Sequence, residues 1–225
     1  MEDLQAAAER LQTRTTIAIF PLPNVVFFPG TSLGLHIFEP RYRSLVAEVL
    51  ESDRLMAVAL LQPGWEQDYY GTPPVHPIAG AGVIEEHQRL PDGRFNLRLR
   101  GLGRVRITGF AQDRPYRIAT IDPLPERDER AAPEHEGDRR RLLAVGAGLL
   151  HELAGAAGRP LAIPHDLPFA LGVNLMCQSL SMDVGERQRL LEMDDVSTRG
   201  TALLEILRAR WQDESLRRGG DGPAH

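Results

Sequence analysis

The apolar residues change period once along the chain, and that change limits what it can fold into. Up to Asp122 they come in short runs or alternate with polar residues, as in half-buried strands. Phe95, Leu97 and Leu99 alternate with Arg94, Asn96, Arg98 and Arg100. Beyond Arg139 they recur at helical spacing, as in Leu142, Val145, Leu149 and Leu153. Residues 123–138 separate the two regimes with Pro123, Pro125, Pro133 and many charges. Strands followed by helices, with a break between, predict an α+β chain.

The strand region starts at Thr16–Phe20, ends first at Pro21, and resumes at Val25–Phe28 before a Pro29-Gly30 turn. Ser32–Phe38 reads as another strand. Pro40 suits a first helical turn, and Tyr42, Leu45, Val46 and Val49 predict one amphipathic helix over Pro40–Glu51. Leu55–Leu61 reads as a buried strand and Ile78–Gln88 as the next. Pro91-Asp92-Gly93 predicts a hairpin turn, and Gly101-Leu102-Gly103 a second one before Val105 and Ile107. Tyr116–Ile121 is the last strand. So many short strands with one helix predict a closed or nearly closed β-barrel. The expected organisation is an N-terminal arm over 1–15, the barrel over 16–122, a linker over 123–138, an α-helical subdomain over 139–215 and a flexible tail over 216–225. In the helical part, Phe169–Leu180 is apolar nearly all round, as a central helix is. Asp183 with Glu186 marks a further helix start.

Composition removes whole classes of chemistry. All 26 basic residues are arginine. Without lysine there is no Schiff base, no Walker lysine and no Ser–Lys dyad. The single cysteine, Cys177, lies on the most apolar helix, where a thiol is an inert core group. No Gly-x-Ser-x-Gly elbow occurs. His151-Glu152 is not followed by a second histidine at metalloprotease spacing, because Gly155 stands there. Glu39 is expected to meet the positive end of the following helix. No catalytic residue, cofactor or metal ligand is therefore expected. No run approaches the ~20 apolar residues of a membrane span, and Met1-Glu2-Asp3 opens no secretory leader. With one cysteine this predicts a cytoplasmic protein. A net charge of -5 argues against a general affinity for nucleic acid or anionic lipid.

The run Ile19-Phe20-Pro21-Leu22-Pro23-Asn24-Val25-Val26-Phe27-Phe28-Pro29-Gly30 resembles the opening of the N-terminal domain of Lon-type ATP-dependent proteases. His36-Ile37-Phe38-Glu39-Pro40-Arg41-Tyr42-Arg43 continues the pattern of its stand-alone bacterial relatives. Leu90–Arg94 with Gly101–Ile107 looks like a later hairpin of the family, and Gln188-Arg189-Leu190-Leu191-Glu192 is similar to its C-terminal helices. The resemblance runs from about Ile17 to Trp211. It implies a PUA-like β-barrel followed by an α-helical subdomain, a substrate-binding role without the ATPase and protease parts, and no catalytic residues.

Two stretches are candidate contact surfaces. The loop over 62–77 carries Trp65, Tyr69 and Tyr70, stiffened by Pro73 and Pro74; aromatics of this kind are enriched at binding hot spots. If two strands pair across Gly101–Gly103, Arg94, Arg98, Arg100, Arg104 and Arg106 share one face. That face is either a solvated one offset by Glu85, Glu86 or Asp113, or a site for an acidic protein segment or RNA. The first expectation is a module that binds polypeptide clients or a protein partner, with clients docking between barrel and helices. An RNA- or anion-binding barrel is the alternative. The expected state is a monomer or weak homo-oligomer.

Overall fold

The computed structural model describes residues 3–68, 71–111, 115–156, 164 and 167–220. The chain forms two compact units, Met1–Glu126 with Asp183–Glu192, and Arg127–Met182 with Met193–His225.

The first unit is built on one six-stranded sheet. Its strands are β1 (Thr16–Leu22), β2 (Ser32–Ile37), β3 (Leu55–Leu60), β4 (Ile78–Arg89), β5 (Phe95–Ala111) and β6 (Arg117–Leu124). Their order is β2-β5-β4-β3-β1-β6, and a further β5–β6 pairing closes the sheet on itself into a ring. β1 and β3 run parallel, and every other pairing is antiparallel. The expected α+β class is thus observed. β5 makes the closure: its first half pairs with β2 and its second with β6, while β4 lies along the other edge.

Each face of the sheet has its own apolar cluster. One includes Ile17, Ile19, Ala57, Ala79, Ala81, Val105, Ala119 and Ile121, and on it sit Ala7 and Leu11 of α1 (Leu4–Gln12). Both of these residues are wholly buried, so the N-terminal arm, whose alanine-rich sequence suits a short helix, is seated in the core and not peripheral. It is started by Asp3, whose carboxylate accepts from the Gln5 and Ala6 N–H groups. The opposite face packs Phe20, Phe27, Met56, Val58, Ile84, Phe95, Leu97 and Leu99 with Tyr42, Leu45, Val46 and Val49 of α2 (Pro40–Leu50). α2 begins at Pro40 as expected. Glu39 holds the cap position, but its carboxylate makes no capping bond and accepts from Arg41 Nε at 3.1 Å.

The turn at Pro91-Asp92-Gly93 is present; Gly93 has φ 81°, which favours glycine. The second expected turn is not. β5 runs unbroken through Gly101-Leu102-Gly103, with a register shift against β4 there. These glycines serve close approach. Gly101 exchanges hydrogen bonds with Gly30 and Thr31, each 2.9 Å, and a Cβ at Gly101 would strike the Phe28 carbonyl oxygen. A Cβ at Gly80 would strike that of Phe27. The Val25–Gly30 segment therefore crosses directly over β4 and β5, held there by two buried phenylalanines.

α5 (Val184–Glu192) belongs to this unit although helices precede and follow it in sequence. Asp183 caps it, accepting from Gly185 and Glu186 N–H groups at 2.9 and 3.1 Å. Gln188 donates to the Ile78 carbonyl at 2.9 Å, and Arg104 donates to that of Leu191 at 3.0 Å.

The second unit contains α3 (Glu136–Ala156), α4 (Phe169–Ser179) and α6 (Val196–Gly220). α4 is buried through Phe169, Val173, Met176 and Cys177. Gly146 and Gly172 let Met176 and Leu143 approach, which accounts for glycine inside these helices. Arg199 is fully buried, donating to Asn174 Oδ1 at 2.6 Å and the Met193 carbonyl at 2.7 Å. Asp195 caps α6. Burial pushes its carboxyl pKa up, but hydrogen bonds from Glu129, Thr198 and Ser197 outweigh this and hold it below the usual value. No helix among the described residues is long and apolar enough to cross a membrane.

Candidate functional site

A cleft of about 930 Å³ opens in the first unit. Its floor is the end of β1, Phe20 to Pro23, with Tyr42 and Leu61. One wall is the passage from β2 into α2: Leu35, His36, Phe38, Glu39 and Arg41. The opposite wall is the proline loop, with Trp65 and Gly71 to Pro74. Phe110, Ala111, Pro115, Tyr116 and Arg117, where β5 passes into β6, complete it.

Local chemistry fixes each part. Tyr42 meets Phe20 edge to face at 4.6 Å, with the Arg41 guanidinium 4.7 Å from its ring centre. Tyr116 donates its hydroxyl to Glu48 at 2.5 Å. The far end of the proline loop is pinned: Gln62 N–H bonds the Pro74 carbonyl and His76 N–H that of Leu60, at 2.9 and 2.8 Å. Arg117 donates to the Pro73 carbonyl at 2.6 Å and lies 5.5 Å from the Phe110 ring centre. Burial holds its pKa below the ordinary arginine value; Tyr42 and Asp68 oppose the shift and Arg41 reinforces it. It stays charged throughout the working pH range. On the rim, Phe38 and Phe110 remain 59% and 45% exposed. Among the described strands β2 pairs only with β5, so its other edge keeps unpaired backbone groups beside Leu35 and His36.

The aromatic-loop expectation places Trp65, Pro73 and Pro74 in this cleft. Trp65 is half-buried against the α1-side cluster. Tyr69 and Tyr70 lie outside the described residues, as does Asp113. The arginine face does not form as one surface. It required a hairpin at Gly101–Gly103, and the register shift there sends Arg104 into the core at 1% exposure. Arg104 Nη2 bonds the Pro125 carbonyl at 3.2 Å. Arg94 pairs with Asp92 at 2.6 Å, Arg98 with Glu86, and Arg100 with Glu85 at 3.4 Å. Arg106 is exposed farther along β5. Of the five, Arg98 and Arg100 are the ones offset by Glu85 and Glu86.

Sequence reasoning passed over Phe38, Phe110 and Arg117. Phe110 had a signal: it continues the polar register of Arg106 and Thr108. Phe38 and Arg117 had none, since an exposed aromatic before a helix reads like a core one. Among the described residues no group of three or more His, Cys, Asp or Glu is placed to hold a metal ion.

Fold and cleft together define a two-unit chain whose first unit carries a cleft lined by Phe20, Leu22, Leu35, Tyr42 and Trp65. The family model for the ATP-dependent protease La (LON) substrate-binding domain matches residues 16–209, and the chain belongs to that family. It is 26% identical over 191 residues to a Lon protease of Desulfosudis oleivorans, which covers 82% of this chain and 22% of that protein. It is 28% identical over 212 residues to a Lon protease of Parabacteroides distasonis, covering 88% of this chain and 24% of that one. The chain thus spans about a quarter of the length of these curated relatives. The crystal structure of a Lon N-terminal domain protein from Xanthomonas campestris matches with a TM-score of 0.61 and 26% identity, over 85% of this chain and 98% of that one. The N-terminal domain of a Mycobacterium avium complex Lon protease shares the fold, with a TM-score of 0.61 at 16% identity over 86% of this chain and 98% of that one.

Proposed function

We propose that the chain is a non-enzymatic polypeptide-binding module and that the cleft of the first unit is its binding site. The observation that carries this reading is the pair Phe38 and Phe110, left uncovered on the rim of an apolar trough. Aromatic side chains gain most when a partner covers them. The unpaired edge of β2 offers an extended backbone a line of hydrogen bonds, and the trough offers its side chains apolar cover. Membership of a substrate-binding domain family agrees with a role of this kind. Polypeptide clients or a protein partner are its ligands, and a cytoplasmic setting suits them.

The chain has two tryptophans, so a Trp211→Phe background leaves Trp65 as reporter inside the cleft. Titration with short peptides of Leu, Phe and Ser is expected to shift its emission saturably. Phe38→Ser with Phe110→Ser should weaken binding at least about tenfold, since covering an aromatic side chain contributes about 1.5–3 kcal/mol. Both residues are exposed, so folding is expected to survive. Unchanged affinity in the double variant would remove the cleft from the account.

A further inference from the structure

Resting on that reading, we propose that the cleft selects apolar segments that carry an acidic side chain, and that Arg117 receives the carboxylate. Arg117 opens β6 and stands in the cleft wall, half-buried between Pro73 and Phe110. A guanidinium has five N–H donors in a planar fork. Arg117 donates to the Pro73 carbonyl, and among the described residues no carboxylate forms an ion pair with it. The other arginine of the cleft differs: Arg41 is paired with Glu39 at 3.1 Å. On β5, away from the cleft lining, Arg98 and Arg100 also have acid partners. Asp68, in the facing loop, accepts from Thr72 N–H instead.

The chain carries a net charge of -5, yet among the described residues no carboxylate is paired with this half-buried guanidinium in the cleft wall. A partly desolvated guanidinium with no carboxylate bonded to it is unfavourable. A carboxylate arriving with the ligand supplies that partner, through charge-assisted and geometrically bidentate bonds. Of the charged residues lining the cleft, Glu39 and Arg41 offset one another, so the trough presents a net positive charge at Arg117. Apolar walls around that charge favour a segment in which apolar residues flank the acid.

Two end-blocked peptides of Leu, Phe and Ser test this, one with a single central Glu and one with Gln in its place. On the wild-type chain the Glu peptide is expected to bind about tenfold tighter, and added salt should narrow the gap. Arg117→Gln should erase the gap between the two peptides, and Arg117→Lys should keep part of it. Equal affinity of the two peptides for the wild-type chain overturns the selection and leaves polypeptide binding intact. So does a gap that persists in Arg117→Gln. A Gln peptide with a free C-terminus that matches the Glu peptide overturns it in favour of a terminal carboxylate. Binding of neither peptide overturns the polypeptide reading and this inference with it. The wild-type comparison needs no variant, so it stands if Arg117→Gln does not fold.

Discussion

Arg104→Ala is expected to destabilise the first unit by about 3 kcal/mol, a large share of the ~5–15 kcal/mol that holds a domain folded. Arg104 is 1% exposed and reaches from β5 to two backbone carbonyls, Leu191 on α5 and Pro125 just after β6. Its Nε lies 4.0 Å from Glu126. Alanine removes the donors and leaves those carbonyls facing a void, and each lost charge-assisted bond costs about 1.5–3 kcal/mol. The effect should concentrate on α5, because Leu191 lies in its last turn. Urea unfolding with hydrogen exchange across Val184–Glu192 measures both. Arg104 does not line the cleft, so folded molecules should keep wild-type peptide affinity. A loss below about 0.5 kcal/mol, the level of an ordinary surface change, would mean that the buried guanidinium is not what holds α5.

Gly80→Ala should cost at least as much, by the opposite route. The added methyl would run into the carbonyl oxygen of Phe27, which is backbone and cannot rotate away. Phe27 is wholly buried, so its segment has nowhere to retreat. Overpacking of this kind costs about 3 kcal/mol when the neighbour cannot yield. Gly34→Ala is the control. A Cβ there meets nothing within 4 Å, so it should be neutral or slightly stabilising. Thermal unfolding of the two variants should differ widely, and equal melting would refute the close crossing of Val25–Gly30 over the sheet.

These two positions also mark where sequence reading stopped. The alternation at Phe95, Leu97 and Leu99 was legible because each strand face is buried locally, and all three are buried. Pro40 announced α2, and Asp183 with Glu186 announced α5, because caps act over a few residues. Gly101 and Gly103 misled because glycine has two uses, and only a long-range neighbour reveals which one applies. A turn at Gly101–Gly103 would place Arg104 among the surface arginines. The register shift instead turns it inward. The alanine-rich start lacked any long apolar stripe, yet two residues, Ala7 and Leu11, suffice to seat α1 on the sheet. In the cleft, Trp65, Pro73 and Pro74 were legible from loop composition. Phe38, Tyr116 and Arg117 were not, since three separate stretches of chain meet there.

The most direct measurement places a photoreactive phenylalanine analogue in an apolar peptide, crosslinks it to the full chain and maps the attachment sites by mass spectrometry. The account expects attachment within Leu35–Tyr42, around Trp65 and Pro73, and at Phe110, with an unlabelled peptide competing it away. Attachment confined to the helices of the second unit, or none that competes, would contradict it.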